Sequence, residues 1–258
     1  MTAPAYWDRA KRALSRRDAV LARIIRGHPR IALEPRGEPF FTLARSVVGQ
    51  QISVKAAASV WQRLLALAPQ MLPDQILGAG IRRLRACGLS RRKAEYVTDL
   101  ACHFADGSLR PGAWTGMDDE TVITELIQVR GIGHWTAEMF LIFNLLRPNV
   151  LPLEDLGLQR AICLNYFGGR RVSPRTMRRL GTAWAPWRSV ATWYLWRSLD
   201  PIPVEYWAAA GRHGPLRAIR VEWPPFRCSP ENEKHLSRFR AAGRRARDQD
   251  RRVALRAG

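Results

Sequence analysis

The chain has 258 residues, 47% of them hydrophobic, with 42 Lys+Arg against 22 Asp+Glu and a formal charge of +20. That is enough for one large or two small domains with a core, which excludes disorder throughout, and no apolar run approaches the roughly 20 residues that cross a bilayer. A surface this basic concentrates polyanions, nucleic acid first, although 38 of the 42 basic residues are arginine, a bias that a GC-rich genome also produces.

Taken in order, the chain reads as helices joined by short loops. Residues 6–27 carry Leu14, Val20, Leu21, Ile24 and Ile25 at helical spacing. Prolines break the pattern between Pro29 and Pro39, and residues 28–40 are where a β-ribbon could hide. A long helical region is expected from Phe41 to Leu67, and a short helix starts at Pro73 and Asp74. Ser90 is an N-cap for a helix from Arg91 to Phe104, and Asp118 or Asp119 caps one running to about Gln128. After Gly131-Ile132-Gly133 an apolar helix spans His134 to Leu146. Others begin near Asp155, after Ser173-Pro174, and at Trp187, the last ending at Ser198. The class is all-α. Residues 208–258, with 13 Lys+Arg and 5 Asp+Glu, read as a poorly ordered basic tail with a short helix near Glu231–Ala242. The first residues lack the apolar stretch of a secretory signal. Cys87, Cys102, Cys163 and Cys228 are too scattered for a disulfide framework or a metal cluster.

The stretch from Leu126 to Ala137 is the most informative. A Gly-Ile-Gly turn between two helices leaves backbone N–H groups without carbonyl partners, lets a polyanion approach the main chain, and adds the positive end of a helix dipole. Gly131, Ile132, Gly133, His134 and Thr136 are therefore candidate contacts to a DNA phosphate, positioning the strand without reading its sequence.

This stretch resembles the hairpin of the helix-hairpin-helix DNA glycosylase superfamily. Four more segments agree, in order, with its alkylpurine branch, the DNA-3-methyladenine glycosylase II type. They are Val48-Gly49-Gln50-Gln51-Ile52-Ser53; Gly88-Leu89-Ser90 with Lys93-Ala94-Glu95-Tyr96; Leu151 to Ala161; and Trp184-Ala185-Pro186-Trp187-Arg188-Ser189. The resemblance covers roughly residues 40–200. It implies a two-lobed fold with a cleft: 1–39 with 147–207 as a discontinuous lobe carrying the catalytic acid, 40–146 as the middle lobe ending in the hairpin, and 208–258 as the tail. It matches Asp155 to the family's catalytic aspartate, with Glu154 as the rival carboxylate. On residue chemistry alone an Asp there is most simply an N-cap. An ionised carboxylate in a water-poor site would stabilise the positive sugar left when an N-glycosidic bond breaks. Trp135 and Trp196, with Met139 and more weakly Tyr96, match positions lining a pocket for a cationic methylated purine. Met139 departs from a relative's aromatic. Gln51 matches the side chain that fills the gap left by a flipped base.

Trp135 stands where strand-cutting relatives carry a Schiff-base lysine, and no lysine lies between Lys93 and Lys234. The expectation is therefore a monofunctional, water-using glycosylase for 3-methyladenine and 7-methylguanine in duplex DNA. It would need no cofactor beyond a monovalent cation at the hairpin, and would act as a monomer on damaged double-stranded DNA in a bacterial-type cytoplasm, on the nucleoid and not on membranes. The competing readings are a non-catalytic hairpin DNA-binding protein and a glycosylase for another damaged or mismatched base.

Overall fold

A computed structural model describes residues 3–199. The tail 208–258 and its expected helix near Glu231–Ala242 lie outside them. Among the described residues there are twelve helices and no strand. None of these helices is long and apolar enough to cross a membrane.

The described residues fall into two units. The first comprises 3–42, 112–127 and 132–199; the second comprises 43–111 and 128–131.

In the first unit, α1 (Trp7–Arg17) buries Trp7, Ala10 and Leu14 along one stripe. The helix expected over 6–27 is broken at Asp18, whose extended backbone starts α2 (Ala19–Gly27) and whose Oδ1 accepts from Leu21 N at 3.0 Å. A carboxylate at an N-cap satisfies an orphan amide and contributes about 1 kcal/mol, enough to reset the chain direction inside a periodic run. Residues 28–38 form no ribbon, because no second segment pairs with them. Arg36 N instead donates to Phe143 O at 3.1 Å and Tyr194 OH donates to Ile31 O at 3.3 Å, which lays this segment along other helices with Leu33 buried.

A single-turn α7 (Pro111–Trp114) leads to α8 (Asp119–Leu126), capped by Asp118, and then to α9 (His134–Phe143). The Trp114 ring meets Phe140 edge-on at 5.4 Å and its N–H donates to Glu125 Oε2 at 2.8 Å. Then come α10 (Leu156–Phe167), ended by the left-handed Gly168, α11 (Pro174–Thr182), capped by Ser173, and α12 (Arg188–Arg197). Every residue of α12 from Ser189 to Trp196 is buried, as expected of a helix apolar on all sides, and α1, α2 and α10 pack around it.

In the second unit, α3 (Pro39–Gly49) begins in the first unit and runs into the second. It is followed by α4 (Val54–Leu67), α5 (Pro73–Ala86) and α6 (Arg91–Ala105), the last two packed as a pair. The long helix expected over 41–67 is two helices. Ser53 Oγ caps α4 by accepting from Ala56 N, and Gln51 sits just before it with φ +58 in the left-handed region. A non-glycine residue held there carries strain and ends helical propagation.

Candidate active site

The turn at Gln128–Gly131 belongs to the second unit, and α6 holds it. Lys93, Tyr96 and Asp99 recur at three-residue steps, so one face of α6 presents all three. Asp99 Oδ2 accepts from Arg130 N at 2.9 Å. The Tyr96 ring lies against Gly131, where a Cβ would sit 2.3 Å from Tyr96 Cδ2, and Gly131 has φ +85. The Arg130 guanidinium stands 6.0 Å from the centre of the same ring. From the α3–α4 loop, Gln50 Nε2 donates to Gly131 O at 2.8 Å. Lys93 Nζ donates to Val48 O at 2.7 Å, in the last turn of α3, where a cation complements the helix dipole; burial pushes its pKa down to about 8.

Beyond the turn, Ile132 is buried, and Gly133 and His134 are exposed. Gly133 is the N-cap of α9 and supplies no side-chain oxygen. Helix geometry gives first-turn amides no intrahelical carbonyl, so this end offers N–H groups to an outside acceptor. The Thr136 side chain is buried, which leaves its backbone as what it can present. Gln51 is exposed at the tip of its loop rather than on a helix surface, and Ile52 beside it is 40% exposed. Tyr96 is placed under the turn, and Met139 is buried within α9.

The first unit brings Asp155, Trp135 and Trp196 together. Asp155 is the N-cap of α10, so the helix-start reading is correct, and the same carboxylate does more. Its Oδ1 accepts from Leu158 N at 2.6 Å and from Trp196 Nε1 at 2.8 Å, and its Oδ2 accepts from Trp135 Nε1 at 3.1 Å. Gly157 permits this approach: a Cβ there would lie 3.0 Å from Asp155 Oδ1 and 3.4 Å from Trp196 Cδ1. Trp196 is buried, with one face stacked on Phe143 at 5.8 Å, so it reaches the site mainly through its N–H. Trp135 is half-buried, and Glu154 is exposed. Among the described residues no Lys or Arg forms an ion pair with Asp155. Neutral donors therefore fix the direction of the carboxylate without cancelling its charge.

Asp18 shows that such wiring alone does not make a site. It too is an N-cap, and its Oδ2 accepts from Tyr166 OH at 2.7 Å and Trp184 Nε1 at 3.0 Å. There the aromatic partners serve the fold: Trp184 is fully buried, and burial raises the Tyr166 pKa far above its ordinary value.

What sets the Asp155 neighbourhood apart is a second carboxyl. Glu138, on α9, is 7% exposed, and its Oε2 has no hydrogen-bond partner. His134 Nδ1 is 3.6 Å from it, beyond hydrogen-bond range. Burial, and then the charges of Glu154, Glu120 and Asp155, raise its pKa to about 8, so it keeps its proton at neutral pH. In the unfolded chain the same group titrates near 4.5. Between those values the native state holds a proton that the unfolded state has released, so stability falls as pH rises across the window and levels off above it. Glu138→Gln should remove that slope. The variant should match the parent near pH 4 and exceed it at pH 8 by roughly 2–3 kcal/mol, within the limit of about 1.4 kcal/mol per pH unit. Urea midpoints measured across this range check it; midpoints parallel to the parent's at every pH would mean that folding does not shift the Glu138 pKa.

Among the described residues no three His, Cys, Asp or Glu side chains are grouped to hold a metal; Cys87 and Cys163 are buried free thiols, and Cys102 is buried.

Comparison with known proteins gives this arrangement its context. Residues 44–186 match the model of the HhH-GPD superfamily base excision DNA repair proteins. A putative DNA-3-methyladenine glycosylase of Bacillus subtilis is 33% identical over 61% of this chain, which spans 58% of that protein's length. DNA-3-methyladenine glycosylase 1 of Schizosaccharomyces pombe is 32% identical over 62% of this chain and 72% of its own. Among solved structures, a DNA-3-methyladenine glycosidase of Bacillus halodurans superposes with a TM-score of 0.72 at 33% identity, covering 78% of this chain and 94% of that one. The S. pombe 3-methyladenine DNA glycosylase in complex with abasic DNA superposes with a TM-score of 0.65 at 29% identity, covering 74% and 96%. With the hairpin, the aspartate at the start of α10 and more than half its length inside one family model, the chain belongs to the HhH-GPD superfamily of base excision DNA repair proteins.

Proposed function

We propose that this chain is a monofunctional DNA glycosylase that hydrolyses the N-glycosidic bond of alkylated purines, 3-methyladenine and 7-methylguanine, in damaged duplex DNA. The observation that carries this reading is the Asp155 carboxylate, directed by two indole N–H groups and a backbone amide and, among the described residues, in no ion pair with a Lys or Arg. The Gly133–His134 end of α9 takes a phosphate on its amides, and the exposed Gln51 loop fills the space of the extruded nucleotide. The half-buried Trp135 offers its ring to the cationic base. The bond between C1′ and N9 breaks with its electron pair leaving on the purine, which departs neutral because it carried the positive charge. That charge passes to the sugar, where Asp155 stabilises it. Water adds at C1′ and gives up a proton.

Trp135 cannot form a Schiff base, and Lys93 is committed to Val48 O, which supports water as the nucleophile. The reaction as written uses no cofactor, and a monovalent cation at the hairpin remains part of the proposal. The reading includes action as a monomer in the cytoplasm, on the nucleoid. The test is incubation with DNA treated with a methylating agent, chromatography of the released bases, and borohydride trapping. Free 3-methyladenine and 7-methylguanine with no trapped adduct are expected. Binding without release would make the protein a non-catalytic hairpin module, and a trapped band would refute water as the nucleophile.

A further inference from the structure

Away from Asp155, but within the same unit, α1 and the turn before α12 form an open concavity of about 430 Å³ lined by Arg9, Arg12, Arg16, Arg17, Pro186 and Trp187. The helix pattern creates it. Trp7, Ala10 and Leu14 turn into the core, which leaves the arginines at the other positions exposed. Two contacts fix the walls. Arg17 Nη1 donates to Ala185 O at 3.0 Å, and the Arg9 guanidinium lies 5.9 Å from the Trp187 ring. Tyr6 stacks on the same indole at 5.8 Å and holds it in place, half-buried.

The exposed Asp8 carboxylate, one turn before Arg12, offsets part of that residue's charge. Among the described residues no ion pair reaches Arg9, Arg12, Arg16 or Arg17. Asp8 is bound to Lys11 at 2.9 Å, and Asp18 is committed to Leu21, Tyr166 and Trp184. Four like charges around one concavity repel one another, and an anion with several phosphates would relieve that repulsion. The arginines span residues 9–17, about 12 Å of helix, a length that tracks successive phosphates of one strand. The volume falls in the range of small-ligand sites, roughly 300–1,000 Å³, which is room for a nucleotide. An indole in the wall of a cationic groove is the combination that receives an unpaired base, because every base has a stacking face.

We propose that this cavity is a second nucleic-acid site, separate from the Asp155 site, which takes a single-stranded segment with its phosphates on Arg9, Arg12, Arg16 and Arg17 and a base against Trp187. The site binds strand without sequence preference. It would let the protein hold unpaired nucleic acid while the hairpin engages duplex.

The test uses the full chain and a short fluorescein-labelled oligothymidine, with anisotropy read over a series of salt concentrations. Arg12→Glu/Arg16→Glu should weaken binding at least about tenfold, and should flatten the plot of log affinity against log salt by about 1.4, at about 0.7 per lost single-strand phosphate contact. Both side chains are exposed, so the fold should tolerate the change. Arg82→Glu/Arg83→Glu on α5, also exposed, alters net charge equally and should change affinity less than about threefold. Unchanged binding in the α1 variant, or an equal loss in the α5 variant, overturns the proposal. In the parent, photocrosslinking of an oligonucleotide containing 5-iodouracil should label the peptide with Trp187; labelling confined to other peptides refutes the stacking role. Binding alone is read, so the outcome is independent of whether the chain releases bases.

Discussion

Asp155→Asn should leave the fold and duplex binding intact while single-turnover release of 3-methyladenine falls by about a hundredfold to a thousandfold, or about 2.7–4 kcal/mol of transition-state stabilisation. Asn caps a helix about as well as Asp, so the bond from Leu158 N survives and thermal stability should hold. If the amide oxygen keeps the place of Oδ1, it still accepts from Trp196, and the amide NH2 then faces the Trp135 N–H, donor against donor. The charge is gone and one indole is released. Affinity for duplex containing an abasic-site analogue, measured alongside, separates chemistry from binding. Excision within tenfold of the parent would remove Asp155 from the mechanism.

Gly131→Ala should be the most damaging single methyl group in the second unit. The backbone there lies at φ +85, where a side chain costs about 1–2 kcal/mol, and the new Cβ would fall 2.3 Å from the Tyr96 ring, overpacking that costs about 1–3 kcal/mol more. A loss of about 3 kcal/mol in urea denaturation is expected, together with weaker binding to duplex. Combining it with Tyr96→Ala should recover the steric part and leave the conformational part, so the two changes should be strongly non-additive. A Gly131→Ala protein as stable as the parent would show that the α6 face does not hold the turn as described.

Local chemistry in the chain was the easiest part to read. Ser90, Asp118, Asp155 and Ser173 each start a helix, because a short polar side chain before an apolar periodic run has one inexpensive use for its oxygen. The breaks at Asp18 and at Gln51–Ser53 were hidden, since apolar spacing continues through both and a cap inside a periodic run looks like a surface residue. The trio on α6 carries a usable signal in its three-residue steps, although family resemblance points to Tyr96 alone, and to a pocket rather than to the turn. Glu138 could have been found: HWTAEMFLIF is apolar around nearly its whole circumference, so a glutamate within it has no solvent face to occupy. Gln50 and Gly157 had no such signal. Their roles depend on distant residues, Gly131 and Trp196, that no local pattern connects to them. For Asp155, capping and chemistry looked like competing explanations, and one side chain has the geometry for both.

That coexistence has a consequence for how such a protein can change. The helix start needs only Oδ1 of Asp155, which takes the backbone amide and one indole, while among the described residues Oδ2 has a single neutral donor and a lone pair to spare. Under the proposed mechanism, architecture and reactivity would fall to different atoms of one side chain. If the proposed function holds, a lineage could exchange Trp135 to suit another lesion without loosening α10, and could equally lose the proposed chemistry while keeping a well-folded protein.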